Sequence, residues 1–193
     1  IEEKNEEVMD SIKYAKRLQE AIMPSIEDIN ACLPKNFVLY KPKDIVAGDF
    51  YWMENLTNDD GNGQVFIAAA DCTGHGVPGA MVSVVCSNAL NRSVLEYGIL
   101  EPGKILDKAT DLVIERFSKS DEDVKDGMDI GLSSVEYLAN GNARVKFAGA
   151  HNHLWIVTKR KDIGVDSNLN EFEESDYVLH ELKATKQPVG LYF

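Results

Sequence analysis

The sequence is poor in cysteine. Cys32, Cys72 and Cys86 lie far apart, form no CxxC pair and are odd in number, so they cannot all pair within one chain. That excludes a disulfide scaffold and makes the cytoplasm, a reducing compartment, the expected location. Also missing is any apolar run near the roughly 18 to 20 residues that span a bilayer. The opening IEEKNEE has neither the basic start nor the apolar stretch of a secretory signal, so no membrane is expected as a partner of this segment. Basic residues are in deficit, 20 Lys and Arg against 32 Asp and Glu, and the net charge of -12 repels phosphate backbones. No nucleic acid is expected as a partner.

What is present is an ordinary globular composition. Over 193 residues, 44% are hydrophobic and 27% charged, enough for one domain with a substantial core, or one domain plus a short appendage. The first residue is not Met and the last run, PVGLYF, is apolar and strand-like, so the chain is expected to be part of a longer protein.

Residues 2 to about 23 are rich in Glu, Lys, Ala, Ile and Leu and free of Gly and Pro until Pro24, which predicts a helix of five or six turns. Val8, Ala15 and Ile22 recur every seven residues, with Ser11 and Leu18 between them and Ile12 on the adjoining edge. Two readings fit this thin seam: a helix lying on the domain's own core, or a coiled-coil arm that makes a homodimer and carries a signal. From Phe37 the pattern turns to β-like runs, FVLYKP, DIVAGDFYWMENL and QVFIAAAD, the last two joined by a DDGNG turn of hairpin type. Helices are predicted over 77 to 97 and from Pro102, the second with Leu106, Ala109, Leu112, Val113 and Phe117 on one face. IGLSSVEYL and ARVKFAGA flank an NGN turn, LWIVTKR, YVLHEL and PVGLYF add strands, and residues 162 to 176 read as an excursion loop with an acidic, solvated EFEESD end. Hairpin strands around two long helices predict an α+β domain with antiparallel sheets.

The densest cluster of chemistry is AADCTGHGVPGAMVS, where a strand ends on Asp71 and a glycine-rich loop leads into a helix. An Asp there offers a hard oxygen ligand, Gly74, Gly76 and Gly79 allow close backbone approach, and the helix N-terminus favours an anion. Equally, the loop reads as a tight turn whose Asp merely caps. Asp49, after Gly48 in an otherwise apolar run, needs a partner if buried, and a divalent cation shared with Asp71 would be one. Its alternative is a solvent-facing residue beside a bulge at Gly48. His75 reads first as a loop residue filling the turn, then as a phosphate or proton group. The HNH string at His151 to His153 falls in a predicted strand, and Asp126 and Asp129 read as turn and strand-edge residues. A zinc site from Cys72, His75 and Cys86 is disfavoured, because Cys86 falls about ten residues into the next helix.

In this order, DIVAGDFYW, ADCTGHGVPGAM, DGMDIGL and FAGAHNHLWIV closely resemble the SpoIIE/RsbU-like bacterial serine phosphatases, relatives of the type 2C metal-dependent protein phosphatases. The resemblance runs from about residue 36 to the end. Before it, SIKYAKRLQEAIMP is similar to the helical connector that joins such phosphatases to upstream sensor modules, which sets residues 1–35 apart from a phosphatase domain at 36–193. The resemblance implies a four-layer α-β-β-α sandwich and a centre of two Mn²⁺ or Mg²⁺ ions. Asp71 matches the carboxylate that bridges both ions, Cys72 the position whose backbone carbonyl binds one, and Asp49 the acid of the GDFY motif. Gly74, His75, Gly76 and Asn152 fall in the matching phosphate or cleft segments.

The implied activity is phosphoserine or phosphothreonine protein phosphatase, by direct attack of metal-bound hydroxide, with a phosphorylated anti-sigma factor antagonist as the implied kind of substrate. Three departures bear on this. Trp52 stands where many relatives carry Asp, Ala47 where Gly is common, and the two aspartates that relatives place downstream of the PVG segment have no counterpart before Phe193. The fragment is therefore expected to be impaired, and a catalytically silent binding or dimerisation module is the competing reading.

Overall fold

Small and apolar residues on one face of the central strands, and two helices with matching apolar faces, decide the architecture. The structure is a computed structural model, described over residues 2–56, 63–119, 126–159 and 177–190. The element order is α1 (Glu2–Glu20), α2 (Ile26–Cys32), β1 (Phe50–Asn55), β2 (Val65–Cys72), α3 (Gly76–Asn91), α4 (Pro102–Phe117), β3 (Gly127–Tyr137), β4 (Ala143–Ala150), β5 (Leu154–Lys159), β6 (Tyr177–Leu182) and β7 (Val189–Gly190). Strands β1 to β4 pair antiparallel in chain order, β7 pairs with β3, and β5 and β6 form a separate antiparallel ribbon. This is the predicted α+β fold with antiparallel sheets.

Along β2, Phe66, Ala68, Ala70 and Cys72 are buried, and they share a face with Phe50 and Trp52 of β1 and Met128, Ile130 and Leu132 of β3. Cys86, Ala89 and Leu90 of α3, with Ile105, Ala109 and Val113 of α4, close over that face as one core. Trp52 explains its own departure from the motif: it lies in this core, and its indole N–H donates to Asn91 Oδ1 at 2.6 Å. Helix α4 begins with Pro102 at its first turn, where no N–H is needed, and buries Ile105, Leu106, Ala109, Leu112 and Val113 at helical spacing. Helix α3 is apolar nearly all round and continues as a π-turn over Arg92–Glu96. Its far side is not covered: Val77, Met81 and Val84 are exposed.

Several sequence expectations shift. The first helix ends at Glu20, and a second, α2, follows Pro24, with Ser25 accepting from the Asp28 N–H as its N-cap. The seam does not face one way: Ile12, Ala15 and Ile22 turn toward the domain with the buried Gln19, whereas Val8 and Leu18 are exposed. FVLYKP is not a strand. Among the described residues it has no β-partner, and Phe37 and Leu39 are 88% and 85% exposed. β1 starts at Phe50, after Asp49, and His151 to His153 form the turn between β4 and β5, with His151 at φ 61°. The DDGNG turn, the 162 to 176 excursion and the last three residues of PVGLYF lie outside the described residues, DDGNG except for Gly63.

Phe66 is fully buried at the centre of the core and Phe37 is almost fully exposed. Phe66→Ala is expected to lower unfolding free energy by about 3 to 5 kcal/mol, and Phe37→Ala by less than about 0.5 kcal/mol. Urea denaturation of the two variants checks both values.

Candidate metal centre at the end of the sheet

Asp71 sits one residue before the end of β2, at an exposed position of a strand whose neighbours Ala70 and Cys72 are buried. It therefore points away from the helices. Register pairs Phe50 with Ala70 and Asp71 with Asp129, so Asp49, just ahead of β1, comes in beside Asp71 from one side and Asp129 lies across from it on the other. Directly opposed residues of an antiparallel pair share a face. The Asp49 and Asp71 carboxyls lie close enough to interact. Partial burial first, then the charge and hydrogen bond of Asp71, raise the Asp49 pKa above the ordinary carboxylate value.

Backbone packing fixes this pair. A Cβ on Gly48 would lie 2.7 Å from the Cys72 carbonyl oxygen and 2.8 Å from that of Gly74; one on Gly79 would lie 2.6 Å from the Gly74 oxygen. Glycine at 48 and 79 thus serves chain-to-chain contact within the protein. Thr73 ties the loop to β3: its N–H donates to the Gly127 carbonyl at 3.0 Å and its hydroxyl to Asp126 Oδ1 at 2.6 Å. Tyr40 donates to the Asp49 carbonyl at 3.1 Å and meets the Tyr51 ring edge-on at 5.6 Å. Neither Thr73 nor Tyr40 was singled out by the sequence, since a lone hydroxyl in a loop carries no pattern.

The other candidates divide. The Cys72 thiol is buried and held far above the ordinary thiol range by its interaction with Cys86 and by burial, so only its carbonyl is a ligand candidate. Gly74 and Gly76 take positive φ, 84° and 60°, in the loop that starts α3. His75, with its side chain 82% exposed, places Nδ1 3.2 Å from Asp44, and it does not cap α3 by side chain. Asn152 lines the same groove as Asp49 and Asp71, about 870 Å³ in volume, on the face opposite α3 and α4.

Two carboxylates and a carbonyl are hard oxygen donors, suited to Mg²⁺ or Mn²⁺ and not to a soft metal. Two carboxyls side by side also fit a cation between them, since the charge of Asp71 adds to burial in raising the Asp49 pKa. The fit is to part of a centre: among the described residues no group of three or more Asp, Glu, His or Cys is arranged to hold an ion.

Comparison with known proteins gives the class: the chain has the fold of a type 2C (PP2C) phosphatase domain, and the resemblance to the SpoIIE/RsbU-like phosphatases read from its motifs is borne out at that level. The solved structure it matches is the SiaA-PP2C domain of Pseudomonas aeruginosa, at 26% identity and a TM-score of 0.72, over 98% of this chain and 65% of that one. No family model matches the chain, and no curated protein does.

Because the Asp49 pKa is raised, the folded chain holds that proton more tightly than the unfolded chain does. The stability this contributes is present in full below the unfolded carboxylate pKa and is lost as pH rises through the folded pKa. In metal-free buffer Asp49→Asn is expected to raise the melting temperature near pH 7, with the gain shrinking toward pH 3. A pH series of thermal melts in EDTA checks it.

Proposed function

We propose that the chain serves a Mn²⁺- or Mg²⁺-dependent phosphoserine or phosphothreonine protein phosphatase. The observation that carries this reading is the contact of the Asp49 and Asp71 carboxylates beside the Cys72 carbonyl, on the sheet end of a PP2C-type fold. Asp71, Asp49 and the Cys72 carbonyl would hold the metal. Bound there, it supplies charge neutralisation for a phosphoryl group and an acidified water for direct in-line attack. Thr73, gripped by Asp126 and Gly127, keeps the ligand loop in place, and the groove beyond it, with Asn152 on its wall, receives the phosphorylated segment.

The same reading extends to the architecture. The helices α3 and α4 cover one face of the five-stranded sheet, and the β5–β6 ribbon would belong to the second sheet of a four-layer sandwich. Residues 1–35 would be the connector to a sensor module, in a cytoplasmic protein whose substrate is a phosphorylated anti-sigma factor antagonist. No helix of the described residues is long and apolar enough to cross a membrane. One observation favours a second reading, a catalytically silent binding module: the described residues offer only two touching carboxylates and no larger ligand group.

The full-length protein is expected to hydrolyse p-nitrophenyl phosphate with Mn²⁺ or Mg²⁺ and not in EDTA. Asp71→Asn should lower kcat about a thousandfold, the loss of several kcal/mol of metal-derived stabilisation. Undiminished turnover in excess EDTA would sink the metal mechanism, and a trapped phospho-enzyme would sink direct attack. Metal binding without turnover would select the silent module.

Val8, Tyr14 and Leu18 on the outer side of α1 are 59%, 59% and 54% exposed, and we propose that they meet a second copy in a homodimer. Sedimentation is expected to show concentration-dependent dimers that Leu18→Glu removes. An unchanged mass across that series would leave α1 as part of the domain alone.

A further inference from the structure

Helix α1 has 19 residues, and the one that is buried among those whose side chains are described is a glutamine. Gln19 is 4% exposed. A helix that needed only to rest on the domain would do so through apolar side chains, which cost nothing to desolvate, whereas a buried amide must find partners for its N–H groups and its oxygen. Gln19 finds them all. Its Nε2 donates to the Ala47 carbonyl and, at 2.9 Å, to Ser83 Oγ; its Oε1 accepts from the Ala47 N–H at 3.1 Å. Ser83, fully buried on α3, donates its own hydroxyl hydrogen bond to the Ala80 carbonyl at 2.8 Å.

The segment so gripped is irregular. Residues 41 to 49 belong to no helix or strand, and Val46 and Ala47 are buried, so the Ala47 peptide groups have no ladder to join and would be costly to leave unpaired. The glutamine amide makes the two-point contact that a neighbouring strand would otherwise make. Next in the chain is Gly48, packed against the Cys72 and Gly74 carbonyls, and then Asp49. Gln19 thus holds one side of a two-residue lever whose far end is a candidate metal ligand.

We infer that Gln19 is a positioning residue for the metal centre, setting Asp49 against Asp71 and the Cys72 carbonyl by clamping the backbone at Ala47 from α1 to α3. This rests on the metal-dependent phosphatase reading.

The test uses the whole chain with Mn²⁺ as the probe, its free concentration followed by electron paramagnetic resonance, alongside amide hydrogen exchange and thermal melting. Gln19→Leu keeps the bulk and removes the three hydrogen bonds; Ser83→Ala removes one and serves if the first variant folds poorly. Gln19→Leu should raise the Mn²⁺ concentration at half-saturation about tenfold and speed exchange over residues 46 to 50 by more than about tenfold, with β3 and β4 unchanged within about twofold. Ser83→Ala should fall between. Faster exchange or a lower melting temperature with an unmoved Mn²⁺ midpoint would reduce Gln19 to a structural residue and overturn the inference. Unchanged exchange at 46 to 50 would overturn the clamp itself. If the unsubstituted chain holds no Mn²⁺ at all while Gln19→Leu still loosens 46 to 50, the metal reading is what has failed, and the positioning role for that centre falls with it.

Discussion

Because successive residues of β2 point to opposite faces, burying Ala68, Ala70 and Cys72 under α3 and α4 forces Asp71 onto the other side of the sheet. The charge and the core are therefore specified together. A one-residue slip in β2 would put Asp71 under the helices and two alanines in the groove, so every apolar contact on the helix face also defends the placement of the carboxylate. Register with β1 and β3 then brings the neighbours in. Asp49 arrives because Phe50 is opposite Ala70, and Asp129 because β3 runs antiparallel to β2 at Asp71.

What the ladder cannot fix, glycine packing does. Asp49 stands outside β1, and its backbone would be free to swing if Gly48 did not lie against two carbonyl oxygens of the 72–74 segment. Close approach of three chain segments at 48, 72–74 and 79 leaves no space for a Cβ at 48 or 79, which is a packing reason for glycine independent of any phosphate. Thr73 closes the arrangement from the other side through Asp126 and Gly127. The loop is thus braced at both ends, and in its middle Gly74 and Gly76 take positive φ.

Much of this was legible in the sequence where period and punctuation coincide. The α4 face, the α3 span and the β3–β4 hairpin all follow from local pattern, and so does the choice of Asp71 and Asp49 as candidates. Illegible were features that depend on a partner distant in the chain. FVLYKP has strand composition, yet residues 37 to 42 have no ladder to join among the described residues, and composition alone cannot supply one. The heptad of Val8, Ala15 and Ile22 is real as spacing, but α1 is straddled by two environments and its faces divide at Gln19, which no hydrophobic template marks. Asp129 read as a strand-edge residue because its meaning lies in register, across from Asp71, and register is a property of pairs.

The remaining question is why a chain with a net charge of -12 should keep two carboxylates in contact. Their repulsion is not offset locally: among the described residues no lysine or arginine makes an ion pair with either. His75, in the same loop, is turned to Asp44. Without a cation the pair is a cost the fold carries: burial first, and then the charge of Asp71, raise the Asp49 pKa. A ligand that binds the folded state and not the unfolded chain returns stability in proportion to the logarithm of its concentration over its dissociation constant. A divalent ion at Asp49 and Asp71 would do so twice over, by its own attraction and by cancelling the repulsion it finds there.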